Sequence, residues 1–261
     1  MTEAADLDLA VHARLYGCDV IVEGATGTDV FEVFAALHQG ERVDIVRLYP
    51  GFRADISVCD HVRAAMQLFV STQSPVDATG VLPRVQAVAD DAWIVQGWSS
   101  RCVGIGSLVH QMKAHDLPPD LMLVADVVVP ICMALRALGG DHRVQARAVV
   151  VDTDGVVKLW CAEHIARPQR PPPAPSTAAA LAEIMMMLLG GRPGSRVIDV
   201  APECEAALGA VVDACRAADP PSLAEIIDAL RQRVSPEHHL GPGNMAELLR
   251  VLCLLQADSE V

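Results

Sequence analysis

The sequence predicts an α+β fold of two unequal lobes: an antiparallel sheet carrying one helix, followed by a mainly helical half. Three observations predict it. Residues 15–49 alternate apolar and polar positions with the period of two that a half-buried strand requires. After Trp98 the apolar positions recur at helical spacing. Inside that helical half one strand–turn–strand segment stands apart, VVVDTDGVVKL at 149–159.

The strands follow in order. Tyr16, Val20 and Val22 mark the first, Val30, Val33 and Phe34 the second, and Val43, Ile45 and Val46 the third, with Gly24, Gly27 and the 38–41 turn between them. Residues 56–69 place Val58, Val62, Ala65, Met66 and Phe69 on one helical face. Two further strands fit 82–88 and 92–97 around Asp90-Asp91, which makes five strands and one helix. Helices are then expected at 105–114 and 119–138, the second containing Pro130. The proline-rich stretch 167–175 reads as an extended linker, and Ser176 caps a helix that ends at Gly190-Gly191. Helices at 202–218, 222–234 and 244–256 complete the chain, with the piece between them at 194–202 too short for another full helix. The expected division is 14–98, 99–235 and a helical extension at 236–261.

Composition narrows the function. Twenty Lys+Arg against 33 Asp+Glu give a net charge of −13, so nucleic acid and anionic membrane surfaces are repelled rather than bound. Only two of the cations are lysines, Lys113 and Lys158. The eight cysteines contain no C-x-x-C pair and lie mostly in apolar runs, the usage of buried reduced thiols in a cytoplasmic protein. The acidic N-terminus lacks the basic and apolar regions of a signal peptide. The apolar stretch 121–138 is interrupted by Asp126, Pro130 and Arg136, so insertion into a membrane is not expected. A mean hydropathy of +0.32 fits a large Ala/Val core with some apolar surface left for a partner. The expected location is the cytoplasm, alone or as the cytosolic part of a membrane-associated system.

Several motifs in this frame resemble the protein kinase family. VDIVRL at 43–48 is similar to the VAIK strand, with Val46 in the place of the phosphate-pairing lysine. GATGTDVFEVFAALH at 24–38 resembles the glycine-rich loop and its following strand, with Thr26, Thr28 and Phe31 standing for the three glycines. The glutamate of the sheet-packed helix corresponds to His61 or a neighbour, and AWIVQGW at 92–98 to the fifth strand and hinge. Asp141-His142-Arg143 lies where His-Arg-Asp is expected, which puts Arg143 in the place of the catalytic aspartate. Gln145 replaces the loop's lysine, Ala148 the metal-binding asparagine, and Cys161-Ala162-Glu163 the DFG triplet. Residues 176–193 resemble the buried helix that follows the activation segment, with Thr177 for its aspartate, and 206–230 the closing helix pair. Neither the glutamate of an APE motif nor its arginine partner near Asp219-Pro220-Pro221-Ser222 is present.

The resemblance implies a bilobal kinase-like fold of the degenerate actinobacterial kind, with a shortened activation segment and a stretch between 194 and 202 too short for the usual helix G. It is similar to the pseudokinase domain linked to the mycobacterial lipid II flippase. It further implies a pseudokinase without cofactor or metal, since the mapped base is an arginine that cannot accept a proton and the mapped metal ligands are Ala148 and Cys161. The function expected of such a chain is scaffolding or allosteric regulation in Ser/Thr kinase signalling, with an active kinase or a forkhead-associated (FHA) domain as partner. Arg143, Arg147, Arg167 and Arg170 are expected to converge with His142 on the former catalytic loop, where they are either solvated and paired to nearby carboxylates or available to receive an acidic or phosphorylated segment. Two alternatives stand beside this. One is a ligand sensor built on the former nucleotide cleft; the other is a different transferase that recruits Glu163, Cys161 or His61. Cys161 and His164 supply only two soft metal ligands. The apolar stripe Met245, Leu248, Leu249, Leu252 and Leu255 packs on its own lobe or on a second copy, as a homodimer.

Overall fold

The computed structural model describes residues 13–21, 31–53, 59–60, 62–64, 66–67, 81–82, 84–96, 102–118, 120–138, 144–152, 154–159, 176–233 and 242–259. Its first half is an antiparallel sheet of strands β1 (Ala13–Leu15), β2 (Cys18–Val20), β3 (Phe31–His38), β4 (Glu41–Leu48), β5 (Arg84–Ala89) and β6 (Ala92–Gln96). They lie in the order β1-β2-β3-β4-β6-β5. The sheet therefore has six strands where the alternation predicts five. The addition is the three-residue β1, too short to show a period of its own, folded back by Tyr16 and Gly17 at φ 50° and 80°. Gln39 and Gly40 repeat that conformation between β3 and β4, at φ 53° and 85°. Paired left-handed residues are what a two-residue hairpin needs to match strand twist.

Alternation divides the sheet's side chains between two cores. Cys18, Val20, Ala36, Val43, Ile45 and Ile94 form a small cluster on the outer face. Arg47 closes over it, its guanidinium 5.2 Å from the Phe34 ring and bonded to Glu32 at 2.7 Å. On the inner face Phe31, Val33, Val46, Leu48, Trp93 and Val95 join the main core. Of the helix expected at 56–69, residues 59–60, 62–64 and 66–67 are helical, and Cys59, Val62 and Met66 are buried in this same core.

That core continues without a break into the helical half. A three-stranded sheet, β7 (Val103–Gly104), β8 (Val149–Val151) and β9 (Val157–Leu159), lies beside the Ile105–Ala114 helix. The Leu159 N–H donates to the Val81 carbonyl at 2.9 Å, tying β9 to the chain just ahead of β5. The Leu121–Leu138 helix starts where Asp120 Oδ1 accepts the Met122 N–H at 2.9 Å, and it runs through Pro130. By length and composition it could cross a membrane. Here it is the central helix, packed against the Leu223–Arg233 and Thr177–Leu188 helices and buried along most of its faces.

Ser176 Oγ accepts the Ala179 N–H at 3.2 Å and caps the Thr177–Leu188 helix, as the sequence predicts. The helix ends in a Schellman motif, with Gly191 N–H on the Met186 carbonyl at 2.8 Å and Gly190 N–H on that of Met187 at 2.7 Å. Gly190 sits at φ 82°, and a Cβ there would lie 2.5 Å from Lys113 Cε. Glycine thus serves both the turn and the passage of Lys113. Between Gly191 and Pro202 the chain forms one helical turn, Val197–Val200, where a longer helix was not expected. A π-helical stretch, Glu205–Gly209, leads into the Ala210–Arg216 helix. Ser222 and Glu225 form a capping box on the next helix, with the Ser222 N–H on Glu225 Oε2 at 2.8 Å and the Glu225 N–H on Ser222 Oγ at 3.3 Å. The last helix, Pro242–Ser259, turns Met245, Leu249 and Leu252 into its own chain's core, while Leu254 faces outward at 62% exposure.

Candidate functional site

The inner face of the sheet is built in cross-strand rows. One row runs Val33–Val46–Trp93 across β3, β4 and β6, and the next runs Ala35–Asp44–Val95, extended to Val85 on β5. Phe31, at the start of β3, stands opposite Leu48, and its ring meets Trp93 edge-on with centroids 6.3 Å apart. Phe31, Val46 and Leu48 are all but inaccessible to water. Phe31 is therefore a strand residue under the sheet rather than part of a loop. Val46 sits in a dry layer with no charge of its own to offer a phosphate.

In the helical half, Gln145 precedes a single 3₁₀ turn, Ala146–Ala148, closed by the Ala148 N–H on the Gln145 carbonyl at 2.8 Å. Arg147 lies in that turn. Ala148 is fully buried and leads straight into β8, so the position holds a packed methyl group with no ligand atom. The hairpin that follows is held by Asp152, whose Oδ1 accepts the N–H groups of Asp154 and Val156 at 3.0 and 2.9 Å. Its Oδ2 lies 3.8 Å from Lys158 Nζ. Lys113 Nζ donates to the Gly190 carbonyl at 2.6 Å. Both lysines of the chain thus belong to the helical half.

Of the other residues singled out from the sequence, Thr26, Thr28, His61, Asp141, His142, Arg143, Cys161, Glu163, His164, Arg167 and Arg170 lie outside the described residues. Val46 and Ala148 enter one continuous core. Thr177 is buried at the start of its helix, the place the resemblance gives an aspartate. Among the described residues no cluster of three or more His, Cys, Asp or Glu side chains could hold a metal ion. Most of the cysteines described are buried. Burial pushes the Cys132 thiol up to about 12 and that of Cys215 up to about 11, so both are neutral packing groups.

Six strands in this order, a helix packed under them, and a helical half entered through a small β7-β8-β9 sheet together define the architecture. The fold is protein kinase-like. Two crystal structures of the Mycobacterium tuberculosis PknI kinase domain superpose with a TM-score of 0.65 at 20% identity. They cover 87% and 86% of this chain and 99% and 98% of the kinase domain. A mutant form of that domain gives a TM-score of 0.64 at the same identity. No protein-family model matches the chain, and no curated protein matches it by sequence.

Two features of this kinase-like chain escape the sequence reading. Arg216 grips Glu183 through Nε at 3.1 Å and Nη2 at 2.8 Å, and its Nη1 donates to the Ser195 carbonyl at 2.7 Å. Glu183 Oε2 also accepts the Gly194 N–H at 3.0 Å. One fork thus ties two helices to the loop between them, in a lobe whose sequence lacks the family's usual ion pair. The second feature is Asp44. It is 1% exposed, two residues from Val46 on the same strand face, and its Oδ2 has no hydrogen-bond partner. Burial pushes its carboxyl up to about 7, against a smaller downward pull from Arg42. Its signal in the sequence is plain in retrospect: one acid inside the apolar run VDIV.

Proposed function

We propose that the chain is a pseudokinase, a kinase-fold protein that does not transfer phosphate and that serves as a scaffold or allosteric regulator in Ser/Thr kinase signalling in the cytoplasm. The observation that carries this is the pair Val46 and Ala148. Both positions are buried hydrocarbon where the resemblance expects a lysine and a metal-binding asparagine. Phosphoryl transfer rests almost wholly on positioning and charge neutralisation by such groups and by magnesium. Removing a general base alone forfeits roughly 10²–10⁴ in rate, and Arg143 in the place of the aspartate removes it.

The partner on this reading is a protein: an active Ser/Thr kinase, or an FHA domain that reads a phosphorylated form of this chain. The net charge of −13 leaves Arg143, Arg147, Arg167 and Arg170 as the basic segment suited to an acidic or phosphorylated partner. Capture of partners on immobilised chain tests this, with an Arg143→Ala/Arg147→Ala double variant as the comparison. A phosphorylated partner lost from the double variant supports the reading, and identical capture by both forms removes the arginines from it. The apolar stripe of the last helix is largely occupied within the chain, so a homodimer would have to use other surface.

A further inference from the structure

The long apolar Leu121–Leu138 helix carries one acid, Asp126, and buries it to 7% exposure. Taking a carboxyl out of water is costly unless polar groups meet it. One that does is the side-chain amide of Asn244, at the start of the last helix, whose Nδ2 lies 3.4 Å from Asp126 Oδ2. That is the long end of hydrogen-bond range. A carboxylate offers about four lone-pair positions, so Asp126 can accept from a further donor as well.

Asp126 also lines a cavity of about 220 Å³ that opens to solvent. The apolar walls come from Met112 at the end of the Ile105–Ala114 helix, Leu117 after it, Met122 and Leu123 on the central helix, and Met245 and Leu248 on the last helix. Methionine is flexible and polarisable, so walls of this kind adapt to the shape of a guest. The charged groups among them are of one sign. Asp126 is buried in the wall, Asp120 is exposed, and none of the described residues that line the cavity is basic. An anion is repelled there, and a purely apolar guest leaves Asp126 facing hydrocarbon. A cation gains from both acids and favours their ionised forms.

We propose that this cavity binds a small amphiphilic amine, an ammonium group on an apolar body, with the ammonium on Asp126 and the body against the methionine and leucine walls. An ammonium–carboxylate hydrogen bond is of the strong, charge-assisted kind. Roughly 150 Å³ of apolar cavity is enough for benzene, so the cavity has room for one ring and a short amine-bearing arm. Because Asn244, Met245 and Leu248 form one wall, the guest also holds the last helix against the central one. The site lies in the helical half, away from the sheet, and it does not rest on the scaffold reading or its partners.

2-Phenylethylamine and its neutral counterpart 2-phenylethanol are the probes, titrated calorimetrically into the full chain at neutral pH. The expected result is at least tenfold tighter binding of the amine. In Asp126→Asn that preference disappears, while the alcohol binds as it does to the parent. Leu248→Trp, at a half-buried position, fills the cavity from the last helix and should weaken both probes at least tenfold, which keeps the test open should the Asp126 variant fail to fold. Saturating amine should also slow amide exchange over residues 245–252. Equal affinity for the two probes, no binding of either, a preference that survives in a folded Asp126→Asn, binding indifferent to Leu248→Trp, or unchanged exchange in the last helix overturns the proposal.

Discussion

Val46 and Trp93 face each other across β4 and β6, both buried, in the layer where a nucleotide-binding kinase-fold protein needs a cation. The consequence is mechanical as well as chemical. An ammonium group cannot be added at Val46 without entering a packed apolar layer that also holds Phe31 and Val33. Val46→Lys should destabilise the fold by several kcal/mol, since burying an unpaired charge is among the costliest single changes. Denaturant unfolding measures it. A variant as stable as the parent would mean that the face opens to water.

The raised Asp44 carboxyl makes stability depend on pH in a defined direction. Its folded value is about 7 against an ordinary 3.8, so between those two values the folded chain holds a proton that the unfolded chain has released. Stability therefore falls as pH rises from about 4 to about 7 and levels off above. The full loss is on the order of 4 kcal/mol. Asp44→Asn should remove that slope, and chemical denaturation at pH 5 and pH 8 reads it. A parent chain with no slope of its own, or an unchanged slope in the variant, would assign the titration to another group.

Arg216 holds Glu183, the Ser195 carbonyl and, through Glu183, the Gly194 N–H. Arg216→Ala should cost about 1–3 kcal/mol, because it leaves an acceptor unpaired as well as breaking the ion pair. The double variant with Glu183→Gln should cost less than the two singles combined. A double-mutant cycle by thermal unfolding gives the coupling, and strict additivity would reduce the pair to a surface contact.

Asp152 should matter more than its partner Lys158 to the hairpin. Its Oδ1 accepts two backbone N–H groups within 3.0 Å, while its Oδ2 is 3.8 Å from the ammonium. Asp152→Ala is expected to cost about 1–3 kcal/mol and Lys158→Met less. Equal losses would move the hairpin's support to the ion pair.

How far the sequence can be read follows from the physics of each element. β3 and β4 are eight residues each and alternate throughout, so periodicity finds them, whereas the three residues of β1 carry no period. The Thr177–Leu188 and Leu223–Arg233 helices announce themselves by Ser176 and Ser222 at their caps. The hydrocarbon at Val46 and Ala148 was legible because the resemblance supplied a register. Arg216 and Glu183 are 33 residues apart, and no local pattern reports a contact across that separation. Asp44 was visible as an acid in an apolar run, yet its lack of a partner is a property of three strands assembled together.

The central claim is that this kinase-like chain does not move phosphate. Incubating the purified chain with γ-labelled ATP and magnesium or manganese, alone and with a general protein substrate, tests it most directly. The account predicts no transfer above that of a heat-denatured control. Label incorporated by the native chain and abolished by Glu163→Gln, the acid beside the expected metal position, would contradict it.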